Sequence, residues 1–196
     1  MTVAPYPVLR LSQDGTEAMP QTRLDKERLR QAALDHFGDV WCFLRSLGVP
    51  RDSLDDALQE VFVVAARKIG SVHPGAEKSY LFAVSVHVAR QTRRKFAREE
   101  LTQDPDDGSL ELTSFETPED SLAQKEERHV LLELLDGLPD EMRSVFVLYE
   151  IEGQSSSEIA ELLGLSINTV SSRLRRARAR FEIRLQRLQS RLRGGP

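Results

Sequence analysis

The chain has 196 residues with 27 basic and 31 acidic side chains, a formal net charge of −4, 40% hydrophobic and 30% charged residues. That supports one or two small hydrophobic cores rather than a large buried sheet. One cysteine, Cys42, excludes a disulfide framework and any Cys-rich zinc site. The four histidines stand too far apart to form a helical metal pair. Neither a bilayer-spanning apolar run nor a signal-peptide core is present, so a cytoplasmic protein with no membrane insertion is expected.

Residues 1–22, with Pro5, Pro7 and Pro20, lack a sustained period and read as a flexible arm. From about Leu24 to Leu47 the pattern turns helical, with Leu34, Phe37, Val40, Trp41, Leu44 and Leu47 at three- and four-residue steps. Trp41 and Cys42, among apolar neighbours, read as core. Gly48 and Pro50 end that helix. Asp52 or Ser53 then caps a second helix running to about Ile69, with Leu58, Val61 and Phe62 turned inward. The loop Gly70 to Glu77 follows, and a third helix spans about Lys78 to Arg98, with Leu81, Phe82, Val84 and Val88 packing inward. Its second half, from His87 to Arg98, carries five bases and no acid. Such a stripe suits a phosphate backbone.

The composition then changes sharply. Residues 99–127 hold eleven acids and one base, a local charge of −10, interrupted by Pro105, Gly108 and Pro118. This reads as a linker, which its 29 residues would let reach on the order of 100 Å if extended. A second helical unit begins near Ala123, breaks at Gly137-Leu138-Pro139, resumes to about Glu150, and continues through a short helix to Leu163 and a long one from Ile167. The expected fold class is all-α, with two small helical domains.

The strongest local signal runs from Ser155 to Phe181. Ser155 and Glu158 have capping-box spacing, and Ile159 and Leu163 face a core. Ala160 is small where another helix crosses, and Gly164 falls at a tight turn that favours positive φ. Ser166 caps the next helix and Val170 anchors it. This is the logic of a helix-turn-helix, whose second helix enters a major groove. From Leu165 to Arg193 there are nine arginines and one acid, a local charge of +8. Arginine offers the bidentate contacts to guanine and phosphate that lysine lacks.

These residues carry a family resemblance. The segment LPDEMRSVFVLYEIEGQSSSEIAELLGLSINTVSSRLRRAR resembles region 4 of bacterial sigma factors of the extracytoplasmic-function (ECF) group, with Asn168 where glycine is usual. DDALQEVF, Asp55 to Phe62, is similar to that group's region 2.2, and SYLFAVSVHVARQTRRK to its promoter-opening helix. In this third segment Tyr80 replaces a usual tryptophan, His87 an asparagine and Gln91 an aspartate.

The resemblance spans roughly residues 26–186 and implies a specificity subunit of RNA polymerase. It implies a region 2 bundle of three to four helices over residues 23–98, an acidic linker over 99–122, a four-helix region 4 over 123–190 and a tail at 191–196. Asp56, Gln59 and Glu60, which share one helix face, would dock on the β′ clamp helices. Tyr80, His87, Arg90, Arg94 and Lys95, with the loop 70–77, would hold the minus-ten element and an extruded base. For His87 a structural role stays open beside the DNA contact. Ser171, Ser172, Arg173, Arg175 and Arg176 would read the minus-thirty-five element, with region 4 seated on the β flap. The linker would thread the RNA-exit path, and an anti-sigma protein would restrain the whole.

No catalytic residue, metal or cofactor is expected, because no nucleophile–base pairing, glycine-rich phosphate loop or metal cluster is legible. The rival readings are a helix-turn-helix regulator that never joins polymerase, and a sigma-like helical adaptor. The first would need a different N-terminal domain; the second would make no use of its basic helices on DNA.

Overall fold

A computed structural model describes residues 22–100 and 122–193 of the chain. The arm, most of the acidic linker and the last three residues of the tail lie outside the described residues. Seven α-helices make up the rest, with no strand among the described residues.

Helix α1, Arg23–Ser46, starts at a capping box: Thr22 accepts from the Asp25 backbone N–H while Asp25 takes up the Thr22 N–H. Its face of Val40, Phe43, Leu44 and Leu47 is buried. A single 3₁₀ turn, Arg51–Ser53, leads into α2, Leu54–Ala66, and no side chain caps that start, contrary to the role expected of Asp52 or Ser53. Helix α3 spans Glu77–Glu100 and buries Leu81, Phe82, Val84 and Val88 against the other two. Phe43 of α1 and Phe82 of α3 stack with centroids 4.3 Å apart at the centre of this bundle. Each fully buried aromatic contributes about 2–3 kcal/mol by removal from water.

Three expectations for α1 are corrected. Leu34 and Phe37 are 64% and 47% exposed, and Cys42 is exposed as well. A helix in a three-helix bundle buries one stripe only. Val40, Phe43, Leu44 and Leu47 take that stripe, so the apolar residues offset from it face outward. Phe37 recovers part of its contact by stacking on Phe62 at 6.4 Å.

The second unit opens with α4, Leu122–Asp136, and α5, Asp140–Phe146. The helix expected to run on to Glu150 widens instead into one π-helical stretch, Val147–Ile151. Such bulges are frequent at functional sites, and this one contains Tyr149 and Glu150, which both meet Arg178. Then come α6, Ser156–Leu163, and α7, Ile167–Arg193. Val145, Phe146, Leu148, Ile159, Val170, Leu174 and Ala177 fill the centre, and Phe146 stacks on Phe181 of α7 at 4.8 Å. The buried residues of the two units form one continuous cluster.

Candidate polymerase and nucleic-acid interface

The helix-turn-helix is built as its local chemistry demands. Ser155 accepts from the Glu158 N–H, and the Glu158 carboxylate accepts the Ser155 hydroxyl at 2.7 Å and the Ser155 N–H at 2.8 Å; the hydroxyl bond first, then the backbone bond, hold the carboxyl of Glu158 below its ordinary value. Gly164 closes α6 in the left-handed region at φ 64°, ψ 37°. Ser166 then caps α7, its hydroxyl accepting from the Thr169 N–H at 3.1 Å. Val170 and Leu174 seat α7 on the core, and this rotation decides which of its polar side chains reach solvent.

Ser171, Arg175 and Arg176 are exposed and Ser172 partly so. Ser172 Oγ donates to the Thr169 carbonyl at 3.0 Å. Arg173 is turned the other way: it lies 2.6 Å from Glu141 of α5, with its side chain 18% exposed. Thus four of the five expected minus-thirty-five residues share an accessible face, and Arg173 ties that face to the domain. Arg178 pairs with Glu150 at 2.5 Å and lies over the Tyr149 ring at 5.0 Å. The carboxylate of Glu150 raises the Arg178 pKa. A groove lined by Tyr149, Ser156, Ser171, Arg175, Arg178 and Glu182 combines hydroxyl and guanidinium donors with one carboxylate.

In the first unit Asp56, Gln59 and Glu60 all lie on the exposed face of α2. The minus-ten set is divided. Arg94 and Lys95 are exposed, and Arg90 is partly buried. His87 is also partly buried, with its Nε2 2.9 Å from the Gln91 amide, and burial followed by the charge of Arg90 lowers its pKa. Tyr80 departs from expectation: it is 6% exposed, its hydroxyl points to the Ala65 carbonyl at 3.5 Å, and burial pushes its pKa up to about 12. A ring packed between α2 and α3 has no open face for a base in this conformation.

The loop before α3 is held by a residue that sequence reasoning missed. Arg28 on α1 donates to the Ile69 carbonyl at 3.3 Å, the Val72 carbonyl at 2.9 Å and Glu77 Oε1 at 2.6 Å. Glu77 Oε2 accepts the Gly75 N–H at 2.7 Å. Burial opposes the charged form of Glu77, but the bonds from Arg28 and the backbone outweigh it and lower its pKa. Nothing near Arg28 in sequence signals this contact.

Arg143 was missed likewise. It is 1% exposed, and its Nη1 reaches both the Leu47 carbonyl and Asp136 Oδ1 at 3.1 Å. Burial, then the nearby Arg93, pushes its pKa down to about 10. The only sequence signal is an arginine two residues before the apolar run Val145 to Leu148. Among the described residues no group of three His, Cys, Asp or Glu is placed to hold a metal, and no helix is long and apolar enough to cross a membrane.

A basic recognition helix behind a left-handed glycine turn, on a small helical domain preceded by another helical bundle, defines a helix-turn-helix transcription protein of two units. Comparison with known proteins carries this further. The family described as sigma-70, region 4, matches residues 128–181. The ECF RNA polymerase sigma-E factor of Haemophilus influenzae is 30% identical over 148 residues, covering 71% of this chain and 78% of that protein. The sigma-E factor of Escherichia coli K12 is 28% identical over 150 residues, with the same coverage of 71% and 78%. Among solved structures, the sigma factor RpoE of Bartonella quintana, in complex with the anti-sigma factor NepR, superposes with a TM-score of 0.63 at 25% identity, covering 82% of this chain and 98% of that one. CnrH in complex with the cytosolic domain of CnrY gives a TM-score of 0.59 at 26% identity, covering 82% and 89%. The chain belongs to the ECF family of RNA polymerase sigma factors, and it is an alternative sigma factor of transcription initiation.

Proposed function

We propose that this sigma factor directs core polymerase to its promoters through surfaces on two separate domains. Region 2, residues 23–98, offers Asp56, Gln59 and Glu60 to the β′ clamp helices. Arg90, Arg94 and Lys95 of α3, beside the loop held by Arg28, bind the minus-ten element. Region 4, residues 123–190, places Ser171, Ser172, Arg175 and Arg176 in the major groove of the minus-thirty-five element and rests on the β flap. Arg173 acts there as a positioning residue. The acidic stretch 99–122 joins the domains and repels duplex DNA, which suits a path through polymerase rather than along the promoter. The chain works in the cytoplasm, carries no cofactor and is not an enzyme, since the nucleotide chemistry belongs to polymerase.

The observation that carries this reading is the solvent-facing Ser171–Arg175–Arg176 surface of α7, positioned by the Gly164 turn and the Ser166 cap. Its chemistry is that of a major-groove reader. Both solved relatives are complexes, one of them with a named anti-sigma factor. We extend anti-sigma control to this chain on that likeness.

Run-off transcription with purified core polymerase and a promoter-fragment library tests the proposal. Start sites that depend on this protein, and vanish with Arg175→Ala and Arg176→Ala while core binding persists, are the expected result. No core binding at all would overturn it.

A further inference from the structure

The loop between α2 and α3 is gripped at its base from one end of α1. The Arg28 guanidinium closes on three points of it at once: the Ile69 carbonyl, where a 3₁₀ turn begins, the Val72 carbonyl, and Glu77 Oε1 at the start of α3. The Arg28 and Glu77 side chains are 20% and 19% exposed, so solvent screens their pairing less than it would a surface ion pair. The second oxygen of Glu77 accepts the Gly75 N–H, which carries the network to the loop tip.

Asp25, three residues before Arg28 and on the same side of α1, supports the same loop. A Cβ at Gly70 would stand 2.9 Å from its carboxylate, so the backbone passes against it closely. Asp25 is in turn held by the N–H and hydroxyl of Thr22. The tip of the loop, His73, Pro74 and Gly75, is left exposed. Within it His73 Nδ1 lies 2.9 Å from the Pro74 carbonyl, and the Ala76 N–H donates to the His73 carbonyl at 3.0 Å.

We propose that Arg28 is a positioning residue for the minus-ten element, holding the loop tip in the shape that receives the extruded base. The inference rests on the reading of this loop and α3 as the minus-ten site.

The receiving surface has to be made of exposed groups, and Tyr80 is buried between α2 and α3. The loop tip is exposed beside the start of α3. A glycine-containing loop ordered only on contact with DNA would lose backbone freedom at that moment, and the loss would weaken binding. Extruding a base already costs stacking and pairing. A loop braced in advance removes the second of these costs. Arginine suits the task because its planar fork reaches several acceptors together, whereas a lysine ammonium is a point charge. Glu77 also belongs to α3, the helix of Arg90, Arg94 and Lys95. The same guanidinium therefore ties the base-receiving tip to the phosphate-binding helix and sets one against the other.

The test uses holoenzyme assembled from core polymerase and the full chain, with a forked duplex whose single-stranded non-template overhang is fully randomised. Sequencing the bound fraction reads overhang affinity and base preference together. Wild type should favour one base at one overhang position. Arg28→Met keeps the apolar stem and removes the fork. It should weaken binding of the favoured overhang by about tenfold, the factor for a loop that keeps its receiving shape in about a tenth of the molecules. It should also flatten the preference at that position while core binding stays at the wild-type level. Arg28→Lys should fall between the two.

An unchanged base preference in folded Arg28→Met overturns the positioning role. So does a loss of core binding in parallel with the loss of overhang binding, because Arg28 would then act on stability alone. If circular dichroism shows that Arg28→Met does not fold, Glu77→Gln takes its place: a weakened preference supports the role and a wild-type preference overturns it. His73→Ala and Pro74→Ala alter the tip only. If the preference responds to them but not to Arg28→Met, the positioning role alone fails. If it responds to none of these variants, the loop is not part of the minus-ten site, and that reading fails with the inference.

Discussion

Arg173 of α7 and Glu141 of α5 lie 2.6 Å apart, and the contact braces α7 in the orientation that Val170 and Leu174 set on the core. The arginine is largely covered while Glu141 is 64% exposed, so solvent screens the pair. Arg173→Ala should therefore cost roughly 1 kcal/mol, from the lost pairing together with the lost packing of its stem. Thermal melting should show this loss in Arg173→Ala and not in Arg175→Ala or Arg176→Ala. An equal melting temperature across the three variants would contradict the positioning role.

Arg175 and Arg176 of the same helix are exposed to solvent. Their loss should weaken minus-thirty-five duplex binding without affecting stability. Where the lost contact is to phosphate, the slope of log affinity against log salt should become shallower by about 0.9. Titrations at several salt concentrations separate that case from a base contact, which changes sequence preference and leaves the slope alone.

Two glycines with positive φ make a matched comparison. Gly75 has φ 87° with open space where a Cβ would stand, and Gly48 has φ 82° with Arg143 Nη1 only 1.6 Å from that point. Gly75→Ala should cost about 1 kcal/mol, the strain of a left-handed alanine. Gly48→Ala should cost clearly more, because Arg143 must also leave its place against Leu47. Denaturant unfolding of the two variants measures the difference, and equal costs would mean that Arg143 yields freely.

Acid should loosen region 2 and the helix-turn-helix together. A hydrogen bond from Lys78 holds the Asp39 carboxyl below its ordinary 3.8. Glu77 and Glu158 lie below their ordinary 4.5, Glu77 through the bonds that outweigh its burial and Glu158 through its bonds to Ser155. A carboxyl whose pKa is lowered on folding adds stability that is full above its unfolded value and disappears as pH falls through its folded one. The melting temperature should thus drop from about pH 5 downward. Glu77→Gln should melt lower at neutral pH and show a smaller further drop. A pH-independent melting temperature between about pH 5 and pH 3 would contradict these assignments.

What was legible in the sequence was whatever chemistry is local. The Ser155–Glu158 box, the left-handed Gly164 and the Ser166 cap each involve residues within a turn or so of one another. The helix-turn-helix, the helical class and the polar face of α2 could therefore be read directly. The tertiary structure decided which side chains are still available. Tyr80 and Phe37 are both aromatic residues on amphipathic helices, yet one is buried and the other faces solvent, because the position of the neighbouring helix selects the buried stripe. Arg93, Arg143 and Arg173 are chemically the same as Arg94, Arg175 and Arg176. Their partners are Asp140, the Leu47 carbonyl and Glu141 on other helices, and no local pattern encodes such contacts. A guanidinium is always charged and always seeks acceptors, so composition counted the arginines and only the packing of distant helices decided which are left for nucleic acid.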